Sequence, residues 1–453
     1  MSPSARERES AAFRQKLTYA RPFLWLPYST VGMVARIRGA VNLPQLNDAL
    51  RRVRALHPAL GTRIEGGEDG TVFLTGEDVP AFPVEVLPGR GPDDRVRGLV
   101  RAHEAPFDLD GGPMARVYLF PDDDGFELAI LAHHAVCDGL SVGALLCDLI
   151  ALLNAPDWEP EPVRSPIPVS RATLPPAAGC NRHLRLAIAA LNLVWRASRE
   201  RATSADYRRA FAEYWRQPYG LVQEALDAET ASALLARCKR ENVSLTAALA
   251  TAHLRVRDEV VGPPPHDRYR VGVPMDLRGR MHPHPGRTCG LYATSVVATL
   301  LRRQGPDFWA SCRHHQRAIR RCAEDPRQFY KPLLLADVDP RAVDALSVRV
   351  FSGKPVGLLA PLLAHVEVAR GSRVVDISNM GRVVPHGQRG PYALECIWGI
   401  PPANATSALH VDAIGVGGLL TLSAGFRTED VATETAHAIM ERAQGVLTRA
   451  AIE

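Results

Sequence analysis

Leu128-Ala-Ile-Leu-Ala-His133-His134-Ala-Val-Cys137-Asp138-Gly139-Leu-Ser141 is the stretch that decides how this chain folds. Leu128 to Ala132 is a short apolar run and reads as a buried strand. Asp138 and Gly139 are turn formers, and the apolar run from Val142 to Leu152 is long enough for a helix. Two adjacent histidines therefore fall where a buried strand gives way to a turn, a place where a rigid element carries a loop-borne side chain. Successive strand side chains point to opposite faces. His133 and His134 should diverge, so that only one of them faces a reacting centre.

Working outward, Val117–Phe120 reads as a strand and Pro121–Gly125 as the turn that brings the chain back along Leu128–Ala132. An Asp-Gly turn between two strands predicts a hairpin, with the histidine-bearing strand interior to a sheet. Val31 to Val41 reads as another strand. After it Asn42 can cap a helix, Pro44 fits its first turn, Leu46, Leu50 and Val53 form its apolar face, and Pro58 closes it. Residues 154–179, with Pro160, Pro162, Pro166, Pro168, Pro175 and Pro176, read as an extended linker. Beyond them, helical patterns cover Leu184–Val194 and Tyr207–Trp215, and Ser244 caps a further helix. Tyr269–Pro274 and Leu419–Phe426 read as strands, and Glu434–Leu447 as a closing amphipathic helix.

At 453 residues the chain exceeds one typical core, which predicts two domains. No run approaches the ~18 consecutive apolar residues of a membrane span, and the polar start, Met1 to Ser10, lacks a signal-peptide core. The eight cysteines are scattered without a Cys-x-x-Cys pair, the pattern of buried free thiols in a reducing cytoplasm. Cys137 is read as a small packed hydrophobe rather than a nucleophile. The net charge is +5, and it is concentrated. Arg182, Arg185, Arg196, Arg199, Arg201, Arg208, Arg209 and Arg216 face only Glu200, Asp206 and Glu213 in one segment. Such a segment suits an anionic partner, but no nucleic-acid motif accompanies it. His314 and His315 sit in a basic helical run with no carboxylate at metal spacing and read as solvated surface, not as a metal site.

His-His-x-x-x-Asp-Gly at 133–139 resembles the active-site motif of the acyltransferase superfamily that includes chloramphenicol acetyltransferase, condensation domains, polyketide-associated acyltransferases and alcohol acetyltransferases. Pro106-Phe107-Asp108-Leu109-x-x-Gly112-Pro113-Met114-x-Arg116 resembles a second block of that superfamily. Asp276-Leu277-Arg278-x-Arg280, Gly290-Leu-Tyr292 and Ser378-Asn379-x-Gly381 are similar to its later blocks. The resemblance implies an α/β fold of two chloramphenicol acetyltransferase-like lobes, each a mixed sheet with helices, around an active-site tunnel. The first lobe would be 1–175 and the second 176–453. It implies His134 as general base, Asp138 as a structural aspartate in an ion pair, Gly139 as a close-approach and oxyanion position, and His133 as a structural motif residue. Ser378 and Asn379 would reach the substrate from across the cleft. One position departs from the pattern: Gly61 stands where the superfamily carries Arg. If that Arg is the partner of the motif Asp, Asp138 needs another, and Arg63 is the nearest candidate in sequence.

The activity so implied is transfer of an acyl group from a thioester to a hydroxyl or amine of a small-molecule acceptor. Coenzyme A or a phosphopantetheine thioester would serve as co-substrate, with no bound cofactor or metal, in a monomeric cytoplasmic protein of natural-product or lipid biosynthesis. Two alternatives stand beside it: a free-standing condensation enzyme whose donor rides on an acidic carrier protein, and a catalytically silent recruitment module of the same fold.

Overall fold

The computed structural model of the chain describes residues 13–452 apart from 67–70, 88–90, 160–165, 176–181, 197–199, 303–306, 327–332, 334–336, 353, 356–372 and 386–389. The strands are β1 (Arg14–Lys16), β2 (Thr30–Arg38), β3 (Arg63–Gly66), β4 (Val72–Thr75), β5 (Val84–Val86), β6 (Ala115–Pro121) and β7 (Gly125–His133), then β8 (Tyr219–Leu226), β9 (Arg268–Asp276), β10 (Ala293–Leu301), β11 (Arg373–Arg382), β12 (Ala393–Ile400), β13 (Ser407–Val416) and β14 (Leu419–Arg427). The helices are α1 (Arg21–Leu24), α2 (Leu43–Leu56), α3 (Pro92–His103), α4 (Gly139–Asn154), α5 (Arg182–Arg196) and α6 (Ser204–Tyr214), followed by α7 (Ala228–Arg240), α8 (Leu245–Val261), α9 (Phe308–Glu324), α10 (Pro340–Phe351) and α11 (Thr433–Ile452).

The first lobe is built on a five-stranded sheet in the order β12-β2-β7-β6-β5. β6 and β7 pair as the expected hairpin, Ala115 opposite Ala132, and β2 pairs the other edge of β7, Thr30 opposite His133. The motif strand is thus interior, and its side chains are buried on both faces, which is why it reads as a continuous apolar run rather than an alternating one. α2 starts where expected, the Asn42 side chain accepting from Gln45 N–H at 3.1 Å.

The second lobe carries a six-stranded sheet, β10-β9-β11-β13-β14-β8, in which β11 runs parallel to both β9 and β13. α8 and α11 pack together and cover one face of it with α7 and α9. Ser244 caps α8. The other face meets the first lobe. β12, although it comes late in the chain, hydrogen-bonds to β2 in the first-lobe sheet, Trp398 opposite Val34, and packs on β13 and β14. There Thr421 Oγ1 donates to the Ile397 carbonyl at 2.6 Å. So the two sheets share a buried seam, and one strand of the C-terminal half belongs to the first sheet.

Two expectations give way here. Of the proline-rich stretch, 160–165 and 176–179 lie outside the described residues, but the part between is packed. Val169 and Leu174 are buried, Gln15 donates to the Pro166 carbonyl, and His282 N–H donates to the Thr173 carbonyl. The segment lies against both lobes, and its Ser170–Leu174 part closes a turn in which Thr173 and Leu174 N–H donate to the Ser170 carbonyl. His315 is not solvated either: it is buried, with Nδ1 2.8 Å from Thr251 Oγ1 and Nε2 3.0 Å from the Leu301 carbonyl. A helix in contact with a sheet buries one face whatever its charge.

A buried ion pair ties α1 to α10: Arg21 Nε and Nη2 donate to Asp344 Oδ1 and Oδ2 at 2.9 and 2.6 Å. Both side chains are out of solvent. Removing one partner strands the other charge, at a cost of about 3–5 kcal/mol. Asp344→Ala should therefore lower the thermal midpoint by many degrees; an unchanged midpoint in a melting experiment would contradict this reading.

Candidate active site

β7 ends at His133, and the two histidines part as alternation requires. His133 is completely buried. Its ring packs edge-on against Phe107 and Tyr207, and Nδ1 accepts from the Ala135 N–H. Burial, helped by the nearby His134 and Arg116, pushes its pKa down to about 3. It is a neutral core residue. His134 is partly exposed and lies against the Phe23 ring, centroids 5.2 Å apart. Its backbone N–H donates to the Ser29 carbonyl. Its Nδ1 lies 2.8 Å from the Cys137 carbonyl oxygen. A carbonyl can only accept, so Nδ1 carries the proton and Nε2 keeps its lone pair. Burial lowers the pKa of His134 below the ordinary histidine value, against the opposing hydrogen bond to Cys137 and the charge of Asp138. The ring is thus a neutral base in a fixed tautomer.

Asp138 caps α4, Oδ1 accepting from Ser141 N–H at 2.9 Å. It is 2 % exposed, and its partner comes from the second lobe. Arg278 donates to Oδ2 from Nη1 at 3.0 Å and to Oδ1 from Nη2 at 2.9 Å. Tyr292 N–H adds a third donor to Oδ2 at 2.9 Å. Arg278 also bonds Ser141 Oγ and Asp276 and lies over the Tyr292 ring. Arg63 is therefore not the partner: it lies on β3, at the edge of a three-stranded sheet β1-β4-β3, and donates to the Glu77 carbonyl. Nor does Gly61 leave a gap, since the Arg54 side chain fills the space a side chain there would need and donates to the Val79 carbonyl.

Gly139 opens α4. A Cβ on it would meet Met380 Cε and Sδ at 2.7 and 2.9 Å, so the tip of the Met380 side chain, carried by β11, lies against the motif loop. Ser378, two residues before Met380 on β11, shares its face of the strand and is buried. Asn379 does not reach across. It lies on the opposite face, where its Nδ2 is 3.3 Å from Thr246 Oγ1 of α8 and its Oδ1 accepts from Gly381 N–H. Strand alternation places one of the pair at the lobe interface and the other against the helices. Cys137 is buried with its sulfur 3.3 Å from that of Cys289, and burial pushes its thiol well above the ordinary range. It packs, as expected, and is no nucleophile. A cavity of about 50 Å³ lies behind the loop, lined in part by Ala135, Val136, Tyr19 and Gly290. Among the described residues no cluster of His, Cys, Asp and Glu is arranged to hold a metal ion.

Sequence reading missed one group. His410 and Asp412 of β13 lie on the same face as Asp376 of β11, and His410 is close enough for its charge to oppose protonation of His134. The alternation of polar His410 and Asp412 with Leu409, Val411 and Ala413 carries the strand signal.

Residues 28–165 match the family model of the condensation domain. Over the whole chain, the first condensation domain of the CDA synthetase superposes with a TM-score of 0.64 at 17% identity, covering 97% of both chains. The chain has the condensation-domain fold. Trichothecene 15-O-acetyltransferase from Fusarium sporotrichioides shares it, with a TM-score of 0.64 at 12% identity over 99% of this chain and 96% of that one. In sequence, phosphinothricin tripeptide synthetase PhsC of Streptomyces viridochromogenes is 31% identical over 175 residues, 34% of this chain and 16% of the relative. Surfactin synthase subunit 1 of Bacillus subtilis is 27% identical over 128 residues, 28% of this chain and 4% of that protein. The chain thus spans about a sixth or less of the length of these curated relatives. No described helix is long and apolar enough to cross a membrane.

Arg278→Met leaves Asp138 as a buried, uncompensated carboxylate and should cost about 3–5 kcal/mol in chemical denaturation. Arg63→Ala, which removes only an edge contact, should stay within about 0.5 kcal/mol of the parent. The reverse order would restore Arg63 as the structural partner.

Proposed function

We propose that the protein is an acyltransferase that moves an acyl group from a thioester to a hydroxyl or amine of a small-molecule acceptor. The observation that carries this reading is His134, partly exposed, neutral and fixed with Nε2 unprotonated. Such an atom is placed to take the proton of an attacking O–H or N–H group. As the new bond forms, negative charge develops on the thioester oxygen. Backbone N–H groups in the first turn of a helix have no intrahelical partner, and α4 begins at Gly139, directly after the motif loop. The Gly139 N–H is the candidate donor to that oxygen, with the Ser378 hydroxyl a second, from the facing strand. Collapse of the intermediate expels the thiolate. The structural relatives include a condensation domain and an O-acetyltransferase, which supports the transfer class and leaves both acceptor types open.

The donor thioester would be carried by coenzyme A or by the phosphopantetheine arm of an acidic carrier protein. One feature favours the carrier. On α5, Arg185 and Arg196 are exposed beside the exposed apolar side chains of Leu186, Leu193 and Val194. A mixed apolar and basic helix face suits an acidic protein better than a free nucleotide.

Acyl-pantetheine thioesters of graded chain length, offered with simple alcohols and amines and followed by mass spectrometry, test the activity. His134→Ala should lower turnover by about 10²–10⁴-fold with an unchanged circular dichroism spectrum, and wild-type turnover by this variant would overturn the mechanism. Because burial lowers the His134 pKa, the acidic limb of the wild-type rate profile should fall below the ordinary histidine range near 6.5; a limb above that value would contradict a neutral His134. Arg185→Ser with Arg196→Ser should raise KM for a carrier-bound donor while leaving kcat and the pantetheine thioester unaffected.

A further inference from the structure

The segment before β2 grips His134 at both its ring and its backbone. Phe23, on α1, is partly buried and lies against the imidazole with ring centroids 5.2 Å apart and planes tilted by 57°. Aromatic rings attract in tilted pairs at roughly 4.5–7 Å. The His134 N–H donates to the Ser29 carbonyl at 2.6 Å, and the Ser29 hydroxyl donates to the carbonyl of Phe23. Carbonyl, hydroxyl and ring thus close a bracket around one residue.

The bracket is itself held from outside the first sheet. Arg21, two residues before Phe23, is pinned to Asp344 of α10 by the buried ion pair. Trp215, just after α6, donates its Nε1–H to the Pro27 carbonyl at 2.8 Å. The Tyr28 ring packs on Tyr214 of α6 and Phe351 of α10, with centroids 5.6 and 5.5 Å apart. Residues 21–29 are therefore tied down at three points, and Phe23 has little room to withdraw. The hydrogen bond from Nδ1 to the Cys137 carbonyl fixes one edge of the imidazole. A ring packed beside it closes the route by which that edge would turn away.

Resting on the acyl-transfer reading above, we infer that Phe23 is a positioning residue for the general base: its ring blocks rotation of His134 and keeps water from that side of the imidazole, so that Nε2 stays bare and aimed. Phe23 needs no contact with substrate to do this. The titratable groups around His134 are His133 on the strand before it, Asp138 in the loop and His410 of β13. The α1 side gives it the Phe23 ring and the Ser29 carbonyl instead. Desolvation is the largest influence on the His134 pKa and lowers it, against the Cys137 hydrogen bond and the charge of Asp138. An apolar wall that excludes water disfavours the imidazolium, and the Phe23 ring is such a wall. With the ring gone, the pKa should climb toward the ordinary histidine value near 6.5.

The test is read first without substrate, by NMR titration of the His134 ring in the wild type and in Phe23→Ala. The variant's His134 pKa should rise toward about 6.5, and its neutral ring should show both tautomers rather than Nδ1–H alone. In turnover of an acyl-pantetheine thioester, kcat should fall about 10–100-fold, while KM for donor and acceptor stays within about threefold. The acidic limb should move to higher pH, because the base is lost as pH falls through a pKa that now lies higher. Phe23→Tyr, which keeps the ring, should recover most of kcat and bring the pKa back down. Phe23→Leu keeps the apolar bulk without the flat ring; it should shift the pKa and the limb in the same direction, and carries the test if Phe23→Ala does not fold. A His134 that titrates as in the wild type, with kcat unchanged, would reduce Phe23 to a space filler and overturn the proposal. A raised KM with kcat and limb unmoved would make Phe23 a substrate contact and overturn it as well. A wild-type protein that transfers no acyl group contradicts the parent reading instead, and the titration still decides the role of Phe23.

Discussion

The carboxylate of Asp138 is the constraint on which the rest of the site depends. It is buried and charged, and a charge out of water is tolerated only when it is paired and hydrogen-bonded. Its donors come from two directions. Ser141 N–H is local and makes Asp138 an N-cap, which orients α4. Arg278 and Tyr292 N–H come from the second lobe. The turn between β7 and α4 is therefore stable in this shape only when the lobes are docked. His134 hangs from the same turn, its ring bonded to the carbonyl immediately before Asp138. The pair that closes the lobes thus also aims the base.

The seam around that turn is unusually tight for a polar place. Gly139 meets Met380, Gly399 meets Asp412, and β12 pairs with the first sheet while packing on the second. The strand pairing of β12 is the rigid part of this seam, and core packing of this kind transmits small displacements rather than absorbing them. The consequence is a division by face. The helix-covered side of the second sheet is apolar and takes Asn379 with it. The side toward the first lobe collects Asp376, Ser378, His410 and Asp412, with Asp412 against Gly399 of β12.

What could be read from the sequence follows the range of the interactions involved. The strand, the turn and the helix of the motif are local and came through in full: the hairpin with Val117–Phe120, the interior position of β7, the divergence of His133 and His134, and the caps at Asn42 and Ser244. The partner of Asp138 is 140 residues away. Proximity in sequence pointed to Arg63, but Arg278, already visible in Asp276-Leu277-Arg278, wins because Asp276 and Ser141 complete its hydrogen bonds. Asn379 was misplaced because a motif fixes spacing but not which face of a strand turns inward. The proline-rich stretch suggested a loose linker, while Val169 and Leu174 anchor part of it; composition reports backbone stiffness, not what the chain lies against. His410 went unread because β13 lacks a motif and the carboxylate of Asp376 that faces the ring comes from the neighbouring strand β11.

The central claim is that the turn holds His134 neutral with the proton on Nδ1 and Nε2 free. Nitrogen-15 NMR of histidine-labelled protein, with His134 assigned by the loss of its signals in His134→Gln, measures this directly. At pH 7 the His134 Nδ1 should show the shift of a protonated ring nitrogen and Nε2 that of a bare one. A protonated Nε2 at that pH, either in the other neutral tautomer or in the imidazolium, would contradict it.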